Sequence, residues 1–396
     1  MTPEEIKNKK LKTKEIVLDT VSMDKKPERV ALISNDRTWK VFNAGYKLRE
    51  CLYEYDKMAD AVYKFHEDYG YDAYFDLGAR NALPVVECLG PSSYILDDEK
   101  DALNYVDRAP NYDPVQHLKD LAEKGADVFA YEKLIPFLYG IETKEELAPK
   151  LAEMAKEFQI YTKDKGAIGA RMRNEYGVPA VSLGYHHSPP ELMFCGSIMG
   201  IRKFSLVMRR HQAELKEALD QLFERWQQTI LKQFDIAEKR APEDFIFPFI
   251  VGNLAHTIMN PKQFEKFYQP YQMWQANELK KRGMCSLINV EGSIKHLIDY
   301  YRDLPEGVFL CLLETDKPQD FKAWCPNLAI LGGYPTDYLG RMSVEQCVDK
   351  AKELLDEVAY DGRWAYSEDK LLSYPNDVKP ENLKAVTDYI KEHGVY

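Results

Sequence analysis

The sequence predicts a (β/α)8 barrel, a ring of parallel strands surrounded by helices. Short apolar runs of strand length recur about eight times, a polar or glycine-containing loop follows each run, and a stretch of helical periodicity comes next. A doubly wound open sheet is the runner-up fold. That alternative is disfavoured because no GxGxxG motif follows the first strand, so the phosphate loop of a dinucleotide-binding fold is missing.

The predicted strands are rich in β-branched and aromatic residues, which favour extended structure. In chain order they are RVALIS (29–34), DAYFDL (72–77), AVSLGY (180–185), FIFPFIV (245–251), CSLINV (285–290), VFLCLLE (308–314), LAILGG (328–333) and RWAY (363–366).

The predicted helices are amphipathic, and several carry start signals. They lie at 143–158, 205–239, 261–281, 344–358 and 380–392. A serine or threonine followed three residues later by a glutamate or glutamine can close a capping box at a helix N-terminus. The pairs that fit are Thr143 with Glu146, Ser188 with Glu191, and Ser343 with Gln346.

The chain reads as one domain. Its 396 residues fit a single barrel with insertions, spanning 28–396. Residues 1–27 are predicted to form a charged N-terminal arm. The polar stretch near 96–118 interrupts the strand and helix rhythm, so we interpret it as an insertion.

The net charge of the chain argues against some classes of binding partner. The net charge of −11 argues against a nucleic-acid or anionic-membrane surface, because both need a basic patch. The seven cysteines show no CxxC spacing and suit reduced thiols. No run approaches the roughly 20 apolar residues of a membrane helix. These observations predict a cytoplasmic protein with a small-molecule substrate.

The stretch CSLINVEGS places polar residues at the end of a predicted strand. Residues two apart share one face of a strand, so Asn289 and Glu291 lie on the same side. Barrel enzymes place catalytic groups at the carboxyl ends of strands. Glu291 is therefore predicted to bind a cationic or hydrogen-bond-donating group or to act as a general acid or base, with Asn289 beside it. The alternative is that Asn289 caps the loop and Glu291 joins a surface ion pair.

Other polar residues follow the remaining strands. Asp76 is a candidate proton donor or a helix cap, and Asp36 with Arg37 would contact substrate or pair with each other. Glu314 and Asp316 would join Asn289 and Glu291 in an electronegative rim that suits a cation, a polyhydroxyl ligand or a hard metal. The further candidates for substrate binding are Tyr185, His187, His256 and Tyr334.

Several longer segments resemble the uroporphyrinogen decarboxylase superfamily. They are MNPKQFEKFYQPY (259–271), LAILGGYPTDYLGRMSVEQCVDKAKELLDE (328–357) and VKPENLKAVTDYIKEHG (378–394). The resemblance covers most of 28–393 and implies a (β/α)8 barrel. One branch of that superfamily decarboxylates a tetrapyrrole without a cofactor. The other transfers methyl groups between methylcorrinoids and a thiol with a zinc held by a His-x-Cys pair and a later Cys.

The resemblance also implies where the characteristic motif of each branch should lie in this sequence. The His-x-Cys-Gly phrase falls on 289–292, which here reads Asn-Val-Glu-Gly, and the later Cys falls near Ser373. All three usual ligands are replaced, so a zinc held by cysteine is not predicted, and Glu291 is the candidate ligand if a metal binds. The arginine phrase of the decarboxylases corresponds to SNDRTWK (34–40), which lacks it.

The favoured function is therefore a methyltransferase-like enzyme in corrinoid-dependent methyl transfer. A methylcorrinoid would be a co-substrate, no cofactor is firmly bound, and a corrinoid protein is a candidate partner. The alternatives are a metal-independent decarboxylase of a carboxylate, with Asp76 or Glu291 as the acid, and a non-catalytic ligand-binding barrel.

Overall fold

The structure of this chain combines short strands, most of them paired in parallel, with many helices. The computed structural model describes residues 1–75, 82–90, 94–106, 112–195 and 198–396. Their strands are β1 (Tyr94–Asp97), β2 (Ala102–Tyr105), β3 (Ala180–Ser182), β4 (Tyr185–His187), β5 (Phe245–Phe247), β6 (Ile250–Asn253), β7 (Ser286–Val290), β8 (Phe309–Leu313), β9 (Ala329–Gly332) and β10 (Trp364–Ala365).

Helices occupy most of the remaining described residues. The α-helices are α1 (Pro3–Ser22), α2 (Trp39–Asn43), α3 (Leu48–Tyr53), α4 (Tyr55–Tyr69), α5 (Leu83–Glu87), α6 (Pro114–Lys124), α7 (Ala126–Phe129), α8 (Ile135–Tyr139), α9 (Lys144–Arg171), α10 (Pro189–Phe194), α11 (Gly200–Arg210), α12 (Gln212–Lys239), α13 (Pro261–Phe267), α14 (Gln269–Lys281), α15 (Ile298–Arg302), α16 (Pro318–Trp324), α17 (Thr336–Arg341), α18 (Val344–Glu357) and α19 (Pro380–His393). Short π-helical turns lie at Ala130–Leu134 and Met172–Tyr176, and 3₁₀ turns at Pro242–Asp244, Ala255–Ile258 and Ala359–Asp361.

Six strands form one parallel sheet in the order β10, β9, β8, β7, β6, β4. β3 and β5 pair in parallel as a second, two-stranded sheet. The predicted parallel α/β architecture is confirmed for these strands. The first two predicted strands contribute single parallel bridges instead, which join Leu32 to Tyr366, Ile33 to Ala73 and Tyr74 to Ala180.

Two of the predicted strands are each split in two. FIFPFIV becomes β5 and β6 because Pro248 lies between them and has no N–H to donate to a neighbouring strand. AVSLGY becomes β3 and β4, with Gly184 between them. The two halves then pair with different partners, since β3 meets β5 whereas β4 meets β6.

The long predicted helices are also more broken than expected. The stretch 261–281 divides at Tyr268, because Pro270 in the first turn of α14 cannot donate a helical hydrogen bond. The stretch 205–239 divides at His211. The helix predicted at 143–158 extends to Arg171. The capping box of Ser343 and Gln346 is present as predicted.

Helix α1 packs against the inward face of the strands. Its buried residues Val17 and Val21 lie in an apolar group that we call the α1 cluster. The other members of this cluster are Ile16, Ala31, Ile33, Ala73, Val181, Ile246, Phe247, Ile250, Cys285, Leu287, Leu310, Leu312, Ala329, Leu331 and Ala365. Most of the segment predicted as an N-terminal arm is thus a packed helix.

The segment predicted as an insertion contains a hairpin and the start of a helix. β1 and β2 pair antiparallel, with Tyr94 opposite Tyr105 and Asp97 opposite Ala102. Asp113 then caps α6 by accepting a hydrogen bond from the N–H of Val115 at 2.9 Å. Across the described residues, no helix combines the length and the apolar character needed to cross a bilayer.

Candidate functional site

A small pocket opens where β7 and β8 end. Its volume is about 190 Å³. One side is formed by residues that end or follow β7 and β8, and the other by segments 35–38 and 369–374. The lining residues are Asn35, Thr38, Leu103, Asn289, Glu291, Glu314, Asp369, Lys370, Leu371, Ser373 and Tyr374.

Backbone and side-chain hydrogen bonds fix the second side of the pocket. The N–H of Leu372 donates to the carbonyl of Asn35 at 3.2 Å, and the N–H of Arg37 donates back to the carbonyl of Leu372 at 3.0 Å. The hydroxyl of Thr38 donates to the carbonyl of Ser373 at 2.6 Å. Two segments that are far apart in sequence therefore form one wall.

Asn289 and Glu291 both line the pocket and are half-buried. The amide nitrogen of Asn289 donates to Oε1 of Glu291 at 3.4 Å, and the N–H of Glu291 donates to the carbonyl of Asn253 at 3.0 Å. The shared strand face that the sequence predicts thus brings the amide and the carboxylate together. Their chemical roles stay predictions.

The turn after Glu291 needs glycine. Gly292 has a φ of +72°, and a Cβ at this position would lie 2.5 Å from Cγ2 of Thr257. Its N–H donates to Oε2 of Glu314 at 3.0 Å. Glu314 lines the pocket and, at the same time, holds the loop that carries Glu291.

Asp316 does not line the pocket, contrary to the predicted rim. Its carboxylate accepts from the hydroxyl of Ser293 at 2.5 Å and from the N–H of Ile294 at 2.8 Å. The side chain is buried behind the loop after β7. Asp316 therefore holds this loop in place, and its contact with substrate stays a prediction.

Asp36 pairs with Lys40, which corrects the expected contact with substrate or with Arg37. Both members of this ion pair are buried, and the N–H of Lys40 also donates to Oδ1 of Asp36 at 3.0 Å. Burial lowers the pKa of Lys40, and Asp36 opposes that shift. Arg37 lies over the ring of Phe75, with 4.6 Å between the guanidinium carbon and the ring centroid.

Tyr185 and His187 lie on β4, outside the pocket lining. Their rings meet edge to face with centroids 5.1 Å apart. Tyr185 packs over Gly252, where any Cβ would collide with its hydroxyl. Burial, followed by the charge of Glu291, raises the pKa of Tyr185, so the phenol is near that carboxylate. Burial lowers the pKa of His187.

Tyr334 and His256 are buried and lie outside the described lining of the pocket, so their substrate contacts stay predictions. The hydroxyl of Tyr334 donates to the carbonyl of Cys347 at 2.9 Å, so the ring points toward α18. His256 lies edge to face with Tyr268 and Tyr301, and burial lowers its pKa to about 3. Each follows a strand, and Tyr334 still forms a parallel bridge with Glu368. Asp76 lies outside the described residues.

Glu191 is a buried carboxylate that the sequence analysis did not predict as a site residue. The hydroxyl of Ser188 makes no capping bond, and Glu191 is turned inward and is 1% exposed. Its Oε1 accepts from the N–H groups of Leu254 and Ala255 and from the hydroxyl of Tyr268, each at 2.8 Å. Burial raises the pKa of Glu191 to about 7. No sequence signal separates this arrangement from a capping box.

Glu368 was missed as well. It is fully buried, accepts from the N–H of Asn35 at 2.7 Å and receives the hydroxyl of Tyr71. Burial raises the pKa of Glu368, and the charge of Asp36 adds to the effect. Glu368 lies two residues after Tyr366 on the same alternating face, so extending the predicted strand RWAY would have found it.

The residues at the expected metal position do not fit zinc held by thiolates. Asn289, Glu291 and Ser373 stand at or near that motif, and all three line the pocket. Among the described residues, no group of three or more His, Cys, Asp or Glu side chains is arranged to hold a metal ion. An amide and a hydroxyl do not replace the soft ligands that stabilise zinc with an open position.

Comparisons with known proteins show a fold relationship. No family model matches the sequence, and no curated protein is similar to it. Among solved structures, a methyltransferase from Methanosarcina mazei aligns with a TM-score of 0.62 at 15% identity, covering 96% of this chain and 98% of that protein. At this identity, the likeness concerns the fold.

Proposed function

We propose that this protein is a methyltransferase-like enzyme of the uroporphyrinogen decarboxylase superfamily, acting in corrinoid-dependent methyl transfer with an altered metal motif. The observation that carries the proposal is the position of Glu291 and Asn289 in a small pocket at the carboxyl ends of parallel strands. The fold likeness to a solved methyltransferase supports the reaction class.

The proposed fold is a closed (β/α)8 barrel. The bridge between Ile33 and Ala73 would continue from the bridge between Leu32 and Tyr366, next to β10. The bridge between Tyr74 and Ala180 would then lead to β3. This order connects the first predicted strand to both the second and the eighth, which is the neighbour relationship that closes a barrel.

The chain's own groups would bind and deprotonate a methyl acceptor. A methylcorrinoid supplies an electrophilic methyl group when it is presented at the pocket. The acceptor's lone pair forms the new bond to the methyl carbon, the cobalt–carbon bond breaks, and its electron pair stays on cobalt. The acceptor's proton passes to the carboxylate of Glu291, which Asn289 orients.

The size of the pocket sets which reactant enters it. Its volume of about 190 Å³ is below the range of roughly 300–1,000 Å³ for pockets that hold drug-sized ligands. A corrinoid ring is far larger than this volume. We therefore propose that the acceptor occupies the pocket and that a corrinoid protein presents the methyl group from outside.

A carboxy-lyase is the weaker alternative. Its anionic substrate would meet the carboxylates of Glu291, Glu314 and Asp369 in the lining, and like charges at close range are unfavourable. A non-catalytic binding protein would keep the pocket but transfer nothing.

Incubation with methylcobalamin and a panel of small thiols, alcohols and amines tests the proposal. The absorbance of the corrinoid should change only when both protein and an acceptor are present, and the methylated acceptor should appear in equal amount. Carbon dioxide release from small carboxylates, with no corrinoid change, would favour the lyase. No turnover in either assay would favour the binding protein.

A further inference from the structure

We propose that the pocket selects a small protonated amine that carries at least two N–H groups, one to bind and one to lose, which makes an ammonium the methyl acceptor. This substrate class rests on the proposed function, because it assigns the acceptor to the same pocket. Three features of the lining carry it: an excess of hydrogen-bond acceptors, a buried acceptor atom without a donor, and a small volume.

Acceptors outnumber cations in the lining. Glu291, Glu314 and Asp369 contribute carboxylates, whereas Lys370 is the single cation among the described residues that line the pocket, and it is exposed. Some of these carboxylate oxygens already accept hydrogen bonds within the protein. Glu314 accepts from the N–H of Gly292, and Asp369 accepts from the N–H and hydroxyl of Thr336 at 2.9 and 2.8 Å. The charges themselves remain, and they favour a cationic ligand.

Asn35 supplies an independent observation. It lines the pocket, is 3% exposed, and its Oδ1 has no hydrogen-bond partner among the described residues. Its N–H donates to Glu368 at 2.7 Å, so the residue is fixed. An unsatisfied buried acceptor destabilises the protein until a donor reaches it. A ligand N–H would satisfy it, whereas a carboxylate could not.

Ser373 extends the same side of the pocket. Its Oγ is buried and also has no partner within the described part of the chain. A hydroxyl can accept a hydrogen bond or donate one, so Ser373 tolerates an N–H donor. Asn35 and Ser373 line the same pocket as Asn289, in β7, and Glu291, which follows it.

The volume restricts the amine to a few carbon atoms. A cavity of about 150 Å³ accommodates benzene, so a pocket of about 190 Å³ suits a ligand of comparable size. In the transfer step, one N–H stays hydrogen-bonded to Asn35 while a second N–H gives its proton to Glu291, and the freed lone pair forms the new N–C bond. The cobalt–carbon bond breaks, and its electron pair stays on cobalt.

Calorimetric titration without any methyl donor tests the ligand class. Trimethylammonium has a charge and one N–H, tetramethylammonium has the charge alone, and tert-butanol is a neutral molecule of similar shape. We expect trimethylammonium to bind at least tenfold tighter than tert-butanol, with tetramethylammonium between them, and acetate not to bind. Equal binding of tert-butanol or acetate would overturn the proposal.

Matched variants locate the binding. Asn35→Leu should weaken trimethylammonium binding several-fold and leave tetramethylammonium unchanged, because it removes the acceptor of the N–H. Glu291→Gln should weaken both cations. Glu306→Gln changes an exposed carboxylate before β8, at the other end of that strand, and should change neither. Unchanged affinity in both Asn35→Leu and Glu291→Gln would refute the assignment to this pocket.

Two further controls keep the result interpretable. Melting temperatures identify a variant that fails to fold, and the smaller change Asn35→Ala then replaces Asn35→Leu with the same expected loss for trimethylammonium. Ammonium binding without methyl transfer would refute the proposed function, and with it the role of the ammonium as methyl acceptor, and would leave only the ligand class of the pocket. Transfer to thiols or alcohols without ammonium binding would do the reverse.

Discussion

The two ends of the parallel strands differ in what their inward side chains contact. At one end, the inward residues pack with α1, where Val17 and Leu287 are both fully buried. At the other end, Asn289 and Glu291 line a polar pocket. Leu287 and Asn289 are two residues apart on β7, a rise of about 6.6 Å. On the inward face of β7, Leu287 thus belongs to the apolar core, and Asn289, the next residue on that face, lines the pocket.

β8 repeats this change. Leu310 and Leu312 belong to the α1 cluster, and Glu314 lines the pocket directly after the strand ends. Under the proposed function, this difference places stability and chemistry at opposite ends of the same strands, as in barrel enzymes. Substitutions at the two ends should therefore separate loss of folding from loss of turnover.

The largest effect is expected at Glu291. Glu291→Gln keeps the shape of the side chain and removes its charge, so turnover should fall by about 10²–10⁴-fold, or about 3–5 kcal/mol in activation free energy. The free energy of unfolding should change by at most about 1 kcal/mol. Methyl-transfer rates and denaturant melts measure both quantities.

Glu306→Gln is the control for that experiment, since it removes a carboxylate before β8, at the end away from the pocket. It should leave turnover at the wild-type value. Full activity in Glu291→Gln would show that the pocket carboxylate is only a surface charge.

Glu191 should make stability depend on pH at the pocket end. Its folded pKa is raised from 4.5 to about 7, so its ionisation destabilises the folded state. This penalty is absent below about pH 4.5, grows as the pH rises toward 7 and then stays constant. At about 1.4 kcal/mol per pH unit, it reaches about 3 kcal/mol.

Glu191→Gln should remove that penalty, because an amide oxygen can accept the three hydrogen bonds that end on Oε1. The variant should match the wild type near pH 4.5 and be more stable above pH 7. The difference between the two proteins is the informative quantity, since His66 and His256 have lowered pKa values that oppose the trend in both. A difference that does not vary with pH would contradict the prediction.

Strand periodicity predicted the part of the site that depends on alternation. Asn289 and Glu291 share a face, and Cys285 is in the core as its position on that face suggests. Alternation cannot predict where a loop turns after a strand. Tyr334 follows β9 yet packs against α18, because the chain direction there is set by tertiary contacts.

Ion pairs and hydrogen bonds that form in the folded chain explain the other differences between the predicted and the observed contacts. Asp36 stands beside Arg37 in sequence, but the helical turn at α2 brings Lys40 to its carboxylate instead. Glu191 has the spacing of a capping box, but the N–H groups of Leu254 and Ala255 and the hydroxyl of Tyr268 bind it in the interior. These partners lie more than sixty residues away, where local spacing gives no information.

Val17 tests the opposite end of the comparison. Val17→Ala removes two methyl groups from the fully buried α1 cluster, so the free energy of unfolding should fall by about 2 kcal/mol. Turnover per folded molecule should stay unchanged, because α1 is at the end away from the pocket. Leu11→Ala is the control on the same helix, since Leu11 is 38% exposed and should cost much less. A specific loss of turnover in Val17→Ala would erase the distinction between the two ends.

The smallest effect is expected at Asn289, where the polar part of β7 begins. Its amide donates to Oε1 of Glu291 at 3.4 Å, a long hydrogen bond that orients the carboxylate without being its only support. Asn289→Ala removes this donor, and a net contribution of about 1 kcal/mol corresponds to a roughly fivefold rise in KM for the acceptor. The free energy of unfolding should change little because Asn289 is only half-buried.

Steady-state kinetics in Asn289→Ala, Glu291→Gln and the double variant measure the coupling between the two residues. If Asn289 acts by orienting Glu291, the loss from Asn289→Ala should nearly vanish in the Glu291→Gln background. A full, additive loss there would mean that Asn289 binds the acceptor independently of the carboxylate.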